Sequence, residues 1–140
     1  MDGTKTQTLQ REDRIKVVLL DDDEVFCRMI SKIVKKEVDI DLHTLSNLRE
    51  LARYKQWAVT DLLVLDYDLY DGTGLEAADL MSKIATNVPI VMISSTNRAD
   101  SLKNDDRILG FMSKWDATDQ FVADVRHYGG LTKQQDATAS

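Results

Sequence analysis

The chain has 140 residues, 43% of them hydrophobic, and a formal net charge of −6 at pH 7. That length suits one domain with tails, and that apolar fraction supports a core. The acidic balance argues against a basic face for DNA or RNA. A lone cysteine, Cys27, excludes an internal disulfide, and no run nears the ~20 apolar residues of a spanning helix.

Residues 1–13 are polar and rich in Thr and Gln, which predicts a flexible tail with no signal-peptide character. Ile15–Leu20 is apolar from Val17 on without alternation, as in a strand buried on both faces. Asp22 or Asp23 can cap the next helix, which runs to about Lys36. Its apolar residues, Val25, Phe26, Met29, Ile30, Ile33 and Val34, recur at helical spacing and are expected to face inward. Val38–His43 alternates, as an edge strand with one wet face does.

A second helix is predicted over 46–56, with Leu48, Leu51 and Ala52 inward. Leu62–Leu65 reads as another fully buried strand, followed by a loop over 67–73 that holds the turn signal Asp71-Gly72. A third helix spans about 74–85, with Leu75, Ala78, Met81 and Ile84 inward, and Asn87-Val88-Pro89 ends it. Ile90–Ile93 is the fourth strand. Asn97–Asp106 is polar, with Leu102 as its apolar anchor, and reads as a short helix or loop. A fifth strand covers Ile108–Met112. The last helix is expected over 117–128, stopped by Gly129-Gly130, with a flexible tail over 129–140.

Strands and helices thus alternate along residues 14–128, which calls for a doubly wound α/β domain: a parallel sheet with helices on both faces. The edge character of the second strand favours the flavodoxin-like order 2-1-3-4-5. In that order the first and third strands are neighbours. Asp21 and Asp22 then end one strand, Asp66 the next, Ser94 the fourth, and Lys114 the fifth, all at the carboxyl edge where such sheets bind ligands.

Three clustered carboxylates repel one another, at ~4 kcal/mol per pair about 4 Å apart in an effective dielectric of 20. A hard cation relieves this. Magnesium accepts a few carboxylates with retained waters, whereas calcium wants more protein ligands. Lys114 and Ser94 gain a purpose if an anion binds beside the metal. A phosphoryl group fits, with Asp66 as nucleophile and Ser94 and Lys114 meeting its oxygens. The product is an aspartyl phosphate.

The acidic pair Asp21-Asp22, the acceptor Asp66, Ser94 and Lys114 stand in order, with Gly74 eight residues after the acceptor, Pro89 before the fourth strand and Phe111 three residues before the lysine. In this the chain resembles the receiver domain of two-component response regulators. The resemblance implies a domain that is not an enzyme on outside substrates and catalyses only its own phosphorylation and dephosphorylation. It implies phosphotransfer from a sensor histidine kinase or a histidine phosphotransfer domain, and signalling to a downstream protein through a switch of Ser94 and Phe111. It implies magnesium held by Asp22, Asp66 and the main-chain carbonyl of Asp68, with Asp21 nearby through water.

The chain departs from the family at Tyr70, where proline is usual, and at Trp115, where a cis proline usually follows the lysine. A cis bond without proline costs ~2.5–4 kcal/mol, so a trans Lys114–Trp115 bond is expected. A cytoplasmic location without membrane or nucleic-acid partners completes the expectation. Two other readings share part of the pattern. One is a haloacid-dehalogenase-type phosphatase with Asp66 as nucleophile; its extra acids would follow the lysine, whereas here they precede the nucleophile. The other is a receiver-like scaffold that is never phosphorylated, for which a full acid, hydroxyl and lysine set has no use.

Overall fold

The computed structural model describes residues 13–69, 72–96, 104–116 and 118–139. Ile15–Leu20 form β1, in which every residue but Lys16 is buried. β2 is Ile40–Leu45, β3 is Leu62–Asp66, and a two-residue-strand hairpin pairs β4, Asp68–Leu69, with β5, Gly72–Thr73. β6 is Ile90–Ser94 and β7 is Ile108–Ser113. The five longer strands make one sheet, ordered β2-β1-β3-β6-β7, with every pairing parallel. With the hairpin set aside, this is the order 2-1-3-4-5 expected from the sequence.

Strand alternation divides the apolar residues between two faces. On one face Val17, Leu19, Leu62, Val64, Val91 and Ile93 pack against Phe26, Ile30 and Val34 of α1, Glu24–Val34, and against Phe121, Val122 and Val125 of α4, Thr118–Ala139. On the other, Val18, Leu20, Leu63, Leu65 and Met92 pack against Leu51 of α2, Leu48–Arg53, and against Ala77, Ala78 and Met81 of α3, Gly74–Ile84. The central strands therefore carry no polar alternation because they have no wet face.

The starts of α1, α2 and α3 each have a local cause. Asp23 caps α1 by accepting from the Phe26 N–H at 3.0 Å. Asn47 caps α2 through the Glu50 N–H at 2.8 Å, and Glu50 reaches back to the Ser46 N–H at 2.7 Å, a reciprocal arrangement that satisfies two otherwise unpaired donors. Thr73 caps α3 through the Glu76 N–H.

Several expectations are corrected. Val25 and Met29 are 72% and 41% exposed: the apolar residues of α1 outnumber those that can face the sheet. Ala52 and Ile84 are exposed as well. β2 begins at Ile40, with Val38 exposed in the preceding turn. The second helix is only Leu48–Arg53, followed by a 3-10 turn at Trp57–Val59.

The last helix does not stop at Gly129-Gly130 but continues to Ala139. Gly129 is buried there, and a Cβ on it would run into Ile15 of β1. The glycine lets α4 approach the sheet; it has no left-handed backbone that would end the helix. Most of the expected N-terminal tail, Tyr70 and Asp71, and residues 97–103 lie outside the described residues.

One irregularity matters for the site. Ile90 pairs with Ile108, but Val91 pairs with Gly110, so Leu109 is an extra residue on β7. Such a bulge resets the facing of everything after it.

Candidate functional site

β1 and β3 are neighbours in register from Val17↔Leu62 to Leu20↔Leu65, so Asp21 and Asp66 leave the sheet side by side. The Asp21 N–H extends the ladder by donating to Leu45 O at 3.0 Å. Its Oδ1 accepts from the Asp23 N–H at 2.9 Å, which shapes the turn that lets Asp23 cap α1. Asp66 is 2% exposed, and its Oδ1 accepts from the Asp68 N–H at 3.1 Å. Asp22 is half-buried between them in sequence. One carboxylate oxygen from each of Asp21, Asp22 and Asp66 lies within 4.8 Å of the others.

Lys114 closes the cluster. Its backbone N–H donates to Ser94 O at 3.1 Å, which seats it just past β7. Its Nζ lies 2.7 Å from Asp21 Oδ2 and 3.3 Å from Asp66 Oδ2, and 4.9 Å from the centre of the Phe26 ring. The contact with Asp21 is an ion pair to a buried carboxylate oxygen.

Charge in this space is perturbed as its burial dictates. Asp66 is pushed up from 3.8 to about 7, first by burial and then by the charge of Asp21, with Lys114 pulling the other way. Burial opposes the charge on Lys114, but its hydrogen bonds and ion pairs with Asp21 and Asp66 outweigh that and raise its pKa. The half-buried Cys27 thiol, whose Sγ–H donates to Asp21 O at 3.3 Å, is pushed up to about 12 by burial and by Asp21. It is therefore a thiol at neutral pH and a poor nucleophile.

The hydroxyl of Ser94 is 3.3 Å from Asp68 Oδ2 and donates to it. It also accepts from the Thr96 N–H at 3.1 Å and sits 3.3 Å from the Thr96 hydroxyl. The side chain of Asp68 thus turns to Ser94 and stands outside the acidic cluster among the described residues. Phe111 is half-buried and packs on the α2–α3 side of the sheet.

Gly74 permits the close seating of this region: a Cβ there would lie 2.8 Å from Met92 Sδ and 2.9 Å from Asp66 O and from Tyr67 Cα. The Gly74 N–H donates to Tyr67 O at 2.8 Å.

The donor set fits a hard divalent cation. Three carboxylates face one ammonium, and the donors are all oxygen. The structure brings together Asp21, Asp22, Asp66 and Lys114, and places Ser94 beside them through Asp68. The sequence reading passed over Thr96, although the hydroxyl run Ser94-Ser95-Thr96 was a visible signal. It also gave Trp115 no role here. The indole N–H of Trp115 donates to Ser95 O at 2.5 Å, and the Lys114–Trp115 bond is trans as expected.

Residues 17–126 match the family described as response regulator receiver domain. Among solved structures, a signal receiver domain from Vibrio parahaemolyticus is similar at TM-score 0.78 and 19% identity, over 91% of this chain and 98% of that one. A CheY-like response regulator receiver domain protein from Methanospirillum hungatei is similar at TM-score 0.72 and 11% identity, over 87% and 98%. The response regulator TrrA from Thermotoga maritima, solved in complex with Mg2+ and BeF, is similar at TM-score 0.69 and 18% identity, over 81% and 98%. No curated protein matches the chain. Nothing in these comparisons supports the phosphatase reading.

Proposed function

Because the chain belongs to the response regulator receiver domain family, we propose that it is a magnesium-dependent phosphorylation switch in a phosphorelay, with Asp66 as acceptor. The observation that carries the reading is the cluster itself: three carboxylate oxygens within 4.8 Å, with Lys114 joining Asp21 and Asp66. Asp66 attacks the phosphorus of a phosphohistidine on a sensor kinase or phosphotransfer domain. The P–N bond breaks, its electron pair stays on the donor imidazole, and an aspartyl phosphate forms.

Magnesium held by Asp22, Asp66 and the Asp68 carbonyl, with Asp21 nearby through water, would supply positive charge against the phosphoryl oxygens. Lys114 holds the Asp66 carboxylate in place and meets a phosphoryl oxygen, and Ser94 leaves Asp68 to donate to another. That exchange of partners biases Ser94 and Phe111 toward a second arrangement. The chain catalyses only its own phosphorylation and dephosphorylation.

α1 offers a place for the donor. Val25, Met29 and Ile33 lie one turn apart beside Arg28 and Lys32 on one open side of α1. Phe26 and Met29 of the same helix reach the cleft that holds Lys114. No described helix is long and apolar enough to cross a membrane, and a cytoplasmic location is proposed with the phosphorelay role.

The test is intact mass after incubation with acetyl phosphate and magnesium. One added phosphoryl group is expected, lost in Asp66→Asn. Labelling that persists in that variant at another residue and equal rate would sink the assignment.

A further inference from the structure

We propose that Trp115 is a positioning residue that latches the 94–96 loop in its resting place and so sets how readily the phosphoryl site closes; this rests on the phosphoacceptor reading above. Trp115 is 78% exposed, so packing explains little of where its ring sits. Its single polar hydrogen donates to Ser95 O at 2.5 Å, across from the loop after β7 to the loop after β6. The same short loop is held at two further points: Ser94 O by the Lys114 N–H at 3.1 Å, and Ser94 Oγ by its bond to Asp68 at 3.3 Å.

In this arrangement the Ser94 hydroxyl is turned toward Asp68 and Thr96. To meet a phosphoryl oxygen on Asp66 it has to give up Asp68, and the adjoining carbonyl of Ser95 has to shift with it. The indole bond resists that shift. A ligand on Asp66 closes the loop only by as much as its contacts favour the closed form, so a bond made only in the open form weakens apparent binding. The bond is solvent-exposed, which keeps its contribution small and the loop movable.

Beryllofluoride with magnesium, a phosphoryl mimic, tests this on the full chain. Binding followed by fluorine NMR should be about two- to tenfold tighter in Trp115→Phe, which keeps a ring and removes the donor, with a melting temperature lowered by no more than a few degrees. In Trp57→Phe, where Trp115 is the remaining tryptophan, its emission should change on titration as the indole N–H leaves Ser95. Unchanged or weaker binding in Trp115→Phe, or constant Trp115 emission while fluorine NMR reports binding, overturns the latch. A wild-type chain that binds none sinks the phosphoacceptor reading first, and the latch with it.

Discussion

Asp66→Asn should make the metal-free protein more stable at neutral pH. The carboxylate is 2% exposed and raised from 3.8 to about 7, by burial first and Asp21 second. Ionising it in the folded chain is therefore harder than in the unfolded chain. For an acid raised on folding, the contribution to stability is whole below the unfolded value and is lost as pH climbs through the folded value. The window runs from about pH 4 to 7. Each tenfold in proton affinity is worth ~1.4 kcal/mol, so the loss has a ceiling of ~4 kcal/mol.

Asparagine keeps an oxygen for the Asp68 N–H, bonded at 3.1 Å in the wild type, and carries no charge. In EDTA at pH 7.5 it should be more stable by about 2–4 kcal/mol, at roughly 2–4 °C per kcal/mol. Near pH 4 the two proteins should melt together. Magnesium at millimolar concentration should stabilise the wild type by ~2.7 kcal/mol at a hundredfold excess over its dissociation constant, and the variant by less. Thermal melts at both pH values, with EDTA and with magnesium, decide it. If Asp66→Asn melts lower than wild type at pH 7.5 in EDTA, the acid is a structural cap and the site is misread.

Lys114→Ala leaves Asp21 and Asp66 without the ammonium now 2.7 and 3.3 Å away, so the metal-free protein should lose about 3 kcal/mol. Magnesium should still raise its melting temperature, while beryllofluoride binding is lost; the reverse pattern would contradict a phosphoryl-facing lysine. Gly74→Ala places a methyl group 2.9 Å from Asp66 O. It should cost ~2 kcal/mol or more and slow acetyl phosphate labelling, as read by urea melts and intact mass.

The strands were legible because β1, β3 and β6 are covered on both faces and carry unbroken apolar runs. With the order of the strands in hand, Asp21, Asp22, Asp66, Ser94 and Lys114 could be brought together before any distance was known. What the pattern could not tell was which apolar residues of α1 face the sheet. Val25, Met29 and Ile33 form one row of the helix, and Phe26, Ile30 and Val34 the next. Only contact with the sheet and α4 separates the buried row from Val25 and Met29, while Ile33 packs partly against the same core. The β4–β5 hairpin has two-residue strands, too short to show any period. Gly129 was read as a stop because glycine can end a helix or admit a neighbour, and only Ile15 across the interface tells which. The partnership of Asp68 with Ser94 joins residues 26 apart in sequence, and spacing alone carries no sign of it.

Leu109 is half exposed and is the extra residue of the fifth long strand: Ile90 faces Ile108 and Val91 faces Gly110, with nothing opposite position 109. Were Leu109 deleted, Gly110 would follow Ile108 in a regular ladder, and the pairings Val91↔Gly110, Met92↔Phe111, Ile93↔Met112 and Ser94↔Ser113 would stand as they are. Phe111 would stay on the α2–α3 side and Met112 in the α1–α4 core, with Lys114 still next in line beside the acids. The bulge is thus a place where the count of residues is free to vary: a one-residue deletion at 109 should keep acetyl phosphate labelling, although it shortens a core strand.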